Sequence, residues 1–254
     1  MLESYLLKKL QKKKILLMTH IVLGYPSFED SFRIIETMVN AGVDLMELQI
    51  PFSEPVADGP VILRANQKSL AGGVTVKQCF DLAERVAGSF DIPFLFMSYY
   101  NILFKYGADR FAKKMSEIGL YGAIVPDLPP EEGGVYLKAM QKNQLAPIFI
   151  FSPTTPDERL KYLDSFGDGF VYCVARKGVT GADTNFSKDL NSYLARCRKA
   201  TKLPLALGFG VKEQKDIDFL KGKVDIAVIG SETIRLIDDK GVGVVGEFIK
   251  SLKI

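Results

Sequence analysis

A chain of 254 residues, 47% apolar and 25% charged, with 22 Gly and 12 Pro, is long enough to bury a sizeable core without disulfide or metal staples. Its 33 Lys and Arg against 30 Asp and Glu leave a net charge of +3, too little for a nucleic-acid binder. Cys79, Cys173 and Cys197 lie far apart with no CxxC spacing, which suits a reducing, cytoplasmic compartment, and a single histidine, His20, excludes three-histidine zinc sites and HExxH, so no metal site is expected.

Residues 1–13 are predicted to form a helix ahead of the first strand. Their charges follow the apolar residues and no long apolar stretch occurs, so neither a signal peptide nor a membrane span is expected. Eight short runs rich in apolar and β-branched residues then recur between amphipathic helical patterns, at 15–23, 43–50, 92–97, 121–126, 146–151, 169–174, 203–207 and 224–230. Apolar on both faces, they fit a buried parallel sheet. Between the first two lies a helix with Ser27 and Asp30 in capping-box spacing, a stripe of Phe28, Phe32, Ile35 and Val39, and Gly42 just past its end. Eight such units with right-handed crossovers close most naturally into an α/β fold, a (β/α)8 TIM barrel with an extra N-terminal helix, expected as one domain over residues 1–254. A doubly wound open sheet is second choice, because no GxGxxG follows the first strand.

Extra chain is expected after the second and sixth strands: 49 residues separate the starts at 43 and 92, and 34 those at 169 and 203. In a barrel such insertions belong to the βα loops at the C-terminal face, where active sites lie. Period 2 in the second strand puts Val43, Leu45, Glu47 and Gln49 on one face and Met46, Leu48 and Ile50 on the other. Glu47 near the strand's end is placed for general acid and base work, against the blander reading of a rim carboxylate paired with lysine. Residues 51–60, PFSEPVADGP, hold three prolines and a glycine, so the loop keeps one shape and can place Asp58 firmly. Local sequence supports an Asx turn or helix cap at Asp58 equally well.

Tyr172, on one face of the sixth strand with Phe170, either points into the barrel mouth or belongs to the core, the commoner case. The long loop after it, ARKGVTGAD at 175–183, reads as a mobile lid or as an ordinary solvated loop. Gly208 and Gly210 after the seventh strand, and Gly230 with Ser231 opening a helix after the eighth, form the two elements of a barrel phosphate site.

At residues 45–60 with 176–181 the sequence resembles the tryptophan synthase alpha subunit family. The segments IPFSEPVADGPVI, SYYNILFKYG, PDLPPEE, RKGVTGA, and GFGV followed by GS resemble that family's segments in the same order, essentially from end to end. The resemblance implies a (β/α)8 lyase of tryptophan biosynthesis that cleaves indole-3-glycerol phosphate to indole and glyceraldehyde 3-phosphate. It implies no cofactor in this chain and a pyridoxal-phosphate beta subunit as partner, in an assembly of two alpha and two beta chains, with indole passing between them through a tunnel. It further implies that Glu47 and Asp58 are the catalytic carboxylates, that Tyr172, Gln49 and Thr180 meet the substrate, and that Gly181, Gly210, Gly230 and Ser231 hold its phosphate. Phe52, Ser53, Glu54, Pro55, Asn101 and Asp127 would meet the partner.

Three positions depart from the family pattern. Gln49 stands where glycine is usual, and its side chain is expected either to crowd the pocket or to hydrogen-bond Glu47. His20 stands where an aromatic or aliphatic residue is usual and reads as a half-buried packing histidine. Glu54 lengthens the usual aspartate. Three rival readings are a stand-alone indole-releasing lyase, a weakly active or silent phosphate-binding regulatory subunit, and a Schiff-base aldolase using Lys177, which strand parity disfavours.

Overall fold

The computed structural model describes residues 2–175, 183–208 and 210–253, with residues 183–188 described by their backbone alone. Within them the strands are β1 Leu16–Val22, β2 Leu45–Gln49, β3 Phe94–Met97, β4 Gly122–Ile124, β5 Ala146–Ile148, β6 Ile150–Phe151, β7 Val171–Val174, β8 Leu205–Gly208 and β9 Ile226–Ile229. All pair in parallel, in the order β5-β4-β3-β2-β1-β9-β8-β7-β6. The predicted fifth strand is thus split in two at Phe149, with β5 pairing β4 and β6 pairing β7. Pro147 has no N–H to give a ladder, yet its carbonyl accepts from Asp168 at 3.1 Å and that of Phe149 from Tyr172 at 3.0 Å, so the barrel closes through this break.

Strand alternation sorts the side chains into two buried layers. Leu16, Met18, Leu45, Leu95, Met97, Ile124, Ile148, Phe170, Ala206, Ile226 and Val228 form one, inside the barrel. Leu17, Ile21, Met46, Leu48, Phe96, Val171, Cys173, Leu207 and Ile229 form the other, against the helices. The period-2 assignment of β2 holds from Leu45 on: Leu45 lies inside, Met46 and Leu48 outside, and Glu47 and Gln49 share the inner face, whereas Val43, ahead of the strand where the alternation does not apply, packs in the outer layer. Helix α1, Leu2–Leu10, closes the N-terminal end by seating Leu2 and Leu6 in the inner layer. Gly169 makes room for it: its φ is +80°, and a Cβ there would stand 2.7 Å from Leu2 Cδ2. Lys13 donates to the buried Asp44 carboxylate at 2.8 Å, and Asp44 also accepts the Leu17 N–H at 3.1 Å, which ties this end to β1 and β2.

Helix α2, Phe28–Asn40, is capped by Ser27 as predicted, its side chain accepting the Asp30 N–H at 3.0 Å. Its buried line runs through Ser31, Ile34, Ile35 and Met38, whereas Phe28, Phe32 and Val39 flank it partly buried, so the face is rotated from the predicted stripe. The long spacing between the second and third strands is not open loop. It holds two helices, α3 Pro60–Ala71 and α4 Val76–Ser89, the second opened by a Thr75–Gln78 capping box. Helices α5 Tyr100–Tyr106 and α6 Ala108–Glu117 follow β3. Helix α7 is Gly134–Lys142, α8 Asp157–Asp164, and α9, Asp183–Ala200, takes up much of the second excess. Helices α10 Gln214–Leu220, α11 Ser231–Lys240 and α12 Val245–Ser251 complete the outer ring. No helix among the described residues is long and apolar enough to cross a membrane.

Candidate active site

Strands β1 and β2 set His20 opposite Glu47 and Val22 opposite Gln49. Glu47 is 3% exposed, and its Oε1 lies 2.9 Å from His20 Nδ1. From β7, on the other half of the barrel, the Tyr172 hydroxyl donates to the same oxygen at 3.4 Å. Tyr172 therefore points into the mouth, not into the core. It packs beside Gly208, where a Cβ would meet its hydroxyl at 3.3 Å.

The chain after β2 turns back over this cluster. Gln49 Nε2 donates to Asp58 Oδ2 at 2.6 Å. Asp58 is not a helix cap: Gly59 occupies the N-cap of α3, with Pro60 at the first helical position and no side-chain cap bond. The loop's shape is fixed by the Asp58 N–H on Pro55 O at 2.9 Å, the Ala57 N–H on Tyr99 Oη at 3.0 Å, and the Phe52 N–H on the buried Asn66 at 3.0 Å. Phe52 stacks on Tyr99 with ring centroids 5.1 Å apart. Tyr99 and Asn66 thus hold the loop, and nothing in the local sequence around the loop named them.

Two expectations are corrected here. Gln49 bonds Asp58 rather than Glu47, and His20 is a buried partner of Glu47 rather than packing. Spacing along a sheet explains both: side chains two apart on one strand are roughly 6.6 Å apart, while a neighbour across a strand pair is about 4.8 Å away. Glu47 consequently meets His20, leaving Gln49 free to reach forward to the loop. The alternating Leu16, Met18, His20 pattern of β1 was the signal that would have placed the imidazole inside.

Burial makes ionisation of Asp58 harder and holds its carboxyl above the ordinary carboxylate range, against the opposing pull of His20, Gln49 and Tyr99. For His20, burial disfavours the charged ring, but the charge and hydrogen bond of Glu47, with help from Asp58 and Gln49, outweigh it and raise the imidazole. Burial and the two carboxylates push Tyr172 far up, so its hydroxyl stays a donor. His20 Nε2 and Gln49 Oε1 are buried without a hydrogen-bond partner among the described residues.

Across the mouth, β8 and β9 end side by side, with Gly208 opposite Val228. Gly210 has φ +75° and open space where a Cβ would go. Gly230 is the N-cap of α11 and Ser231 its first residue, so the first-turn N–H groups and the helix dipole face this end. A Cβ on Gly230 would sit 3.4 Å from His20 Cβ, which places this anion-suited end beside the carboxylate cluster. Thr180 and Gly181, with Lys177 and the other residues of the expected lid from 176 to 182, lie outside the described residues. On the rim, Ser53, Glu54, Asn101 and Asp127 are exposed, Phe52 is half-buried and Pro55 is buried. Asp127 accepts the Tyr100 N–H at 2.8 Å and so orients the start of α5. Among the described residues no three His, Cys, Asp or Glu stand together as a metal would require.

The family model described as tryptophan synthase alpha chain matches residues 6–248. The tryptophan synthase alpha chain of Desulforapulum autotrophicum is 64% identical over 99% of this chain and all of its own. That of Syntrophotalea carbinolica is 61% identical over the full length of both. Among solved structures, tryptophan synthase subunit alpha from Legionella pneumophila is 28% identical with a TM-score of 0.89, covering 99% of this chain and 96% of its own. Ligand-free tryptophan synthase from M. tuberculosis has a TM-score of 0.89 at 26% identity, covering 98% and 96%.

Proposed function

The chain belongs to the tryptophan synthase alpha chain family, and from that membership we propose how its barrel mouth cleaves indole-3-glycerol phosphate to indole and glyceraldehyde 3-phosphate. Glu47 and Asp58 are the two catalytic carboxylates, and the observation that carries this is their convergence on one mouth, each held by its own partner. Glu47 gives a proton to indole C3, and the ring nitrogen takes up the positive charge. Asp58, as an anion near N1, stabilises that charge. Glu47 then removes the proton of the adjacent hydroxyl, the bond to C3 breaks with its electron pair returning to the indole ring, and the aldehyde forms.

Tyr172 and Gln49 line the pocket. The phosphate sits at Gly210, Gly230 and Ser231; Gly181 and Thr180, which the family resemblance adds to the phosphate and substrate contacts, lie outside the described residues. Docking to a beta subunit that carries pyridoxal phosphate uses the loop from Phe52 to Pro55, exposed at Ser53 and Glu54, together with Asn101 and Asp127, in an assembly of two alpha and two beta chains. Val56, 82% exposed in the same loop, and Phe104, 69% exposed on α5, give that rim an apolar component suited to a protein partner. The compartment is the cytoplasm.

Indole release by Glu47→Gln, with and without a beta subunit, tests the reading. Cleavage is expected to vanish in both settings while the thermal transition stays close to that of the unaltered chain. Retained cleavage would remove Glu47 from the mechanism. A wild-type isolated chain that turns over as fast as the complex would establish a stand-alone lyase.

A further inference from the structure

His20 is the chain's single histidine, and it is spent on a buried contact. Its side chain and that of Glu47 are 4% and 5% exposed, with Nδ1 and Oε1 2.9 Å apart. Burying an ionisable pair is unfavourable relative to an apolar residue of similar volume, and this one leaves Nε2 without a hydrogen bond among the described residues. Packing alone does not account for an imidazole there. The groups that face it are Glu47 and Gln49 from β2 and Asp58 from the loop, and Gly230 covers its Cβ at the end of β9. Tyr172 from β7 reaches the same Glu47 oxygen. Every charged group in that set is an anion, and against burial they hold the imidazole above its ordinary range.

We propose that His20 is a positioning residue of the lyase: through Nδ1 it fixes the Glu47 carboxylate in the orientation from which it meets indole C3. The proposal rests on the assignment of Glu47 above. Glu47 gives its proton to C3, then recovers one from the substrate hydroxyl as the carbon–carbon bond breaks, so no proton is lost, no redox change occurs, and His20 never touches the substrate. Because the role is to hold the carboxylate, a non-titrating donor of the same reach should serve in its place.

Three measurements on the full chain test this. In His20→Asn the amide nitrogen replaces Nδ1 as donor without titrating, so kcat and KM should both stay within about threefold of the unaltered chain. His20→Phe, which removes the donor too, should lower kcat about tenfold or more at every pH. Because the chain has one histidine, its ring gives one NMR titration curve, expected to have a midpoint above the ordinary 6.5 and to drop by about one unit or more in Glu47→Gln. An unchanged kcat in His20→Phe, a His20→Asn chain no faster than His20→Phe, or an unchanged NMR midpoint in Glu47→Gln overturns the proposal. If Glu47→Gln keeps cleaving while the NMR midpoint moves, the pair stands and the catalytic assignment fails instead.

Discussion

At the scale of single residues, activity and stability pull Asp58 in opposite directions. A carboxyl whose folded value is raised binds its proton more tightly folded than unfolded, so the stability it contributes is full at acid pH and is lost as pH rises through the folded value. At neutral pH the folded chain therefore bears the cost of burying that carboxyl. Asp58→Asn is expected to cut indole release about a hundredfold or more, yet to raise the melting temperature at pH 7 and leave it nearly unchanged near pH 3. A melting temperature that falls at pH 7 would mean that the hydrogen bonds to the anion outweigh its burial. His20 runs the same way in a higher window, its contribution present below the ordinary histidine value and lost as pH rises through its raised one. Strand parity in the sequence put Glu47 on the inner face of its strand, while the proline-rich loop left a cap and a placed carboxylate as equal readings of Asp58. Their partners were not legible, because a linear reading supplies neighbours along a strand and not those across it.

At the scale of elements, the two ends of the barrel carry different duties. The N-terminal end is closed by α1, where Leu6 is fully buried in the inner layer. Leu6→Ala should cost about 2–5 kcal/mol of stability, read by denaturant unfolding, with KM for the substrate unchanged because the site lies at the opposite end. A changed KM would show that α1 sets the strand positions up to the mouth. The strands and the leading helix could be read from hydrophobic runs and their spacing. The insertion after β2 could be located but not resolved: a spacing of that length is compatible with loop or helix, and the pins on its first ten residues, Asn66 and Tyr99, come from α3 and from just beyond β3. Similarly, the buried line of α2 turned out rotated, since α12 and α4 pack on that helix as well as the sheet and so widen the face it must bury.

For the molecule as a whole, parallel pairing in one unbroken order makes the barrel a hoop whose staves are unequally fastened. Between β1 and β2 five residues are in register, whereas β6 meets β7 over two. At the break around Phe149, Pro147 contributes no donor, and single carbonyl contacts bridge the gap. The hoop is accordingly expected to part there first. In native-state hydrogen exchange the amides of Ile148, Phe149, Ile150 and Phe151 should exchange well before those of Leu45, Met46 and Glu47; equal protection would show that the outer helices, not the ladder, decide where the barrel yields. Such an opening would turn the closed ring into a strip with its free edges beside Tyr172, leaving His20 and Glu47 on adjoining strands in its interior. Breathing along that line would then widen one wall of the mouth while the His20–Glu47 contact on the opposite wall kept its geometry.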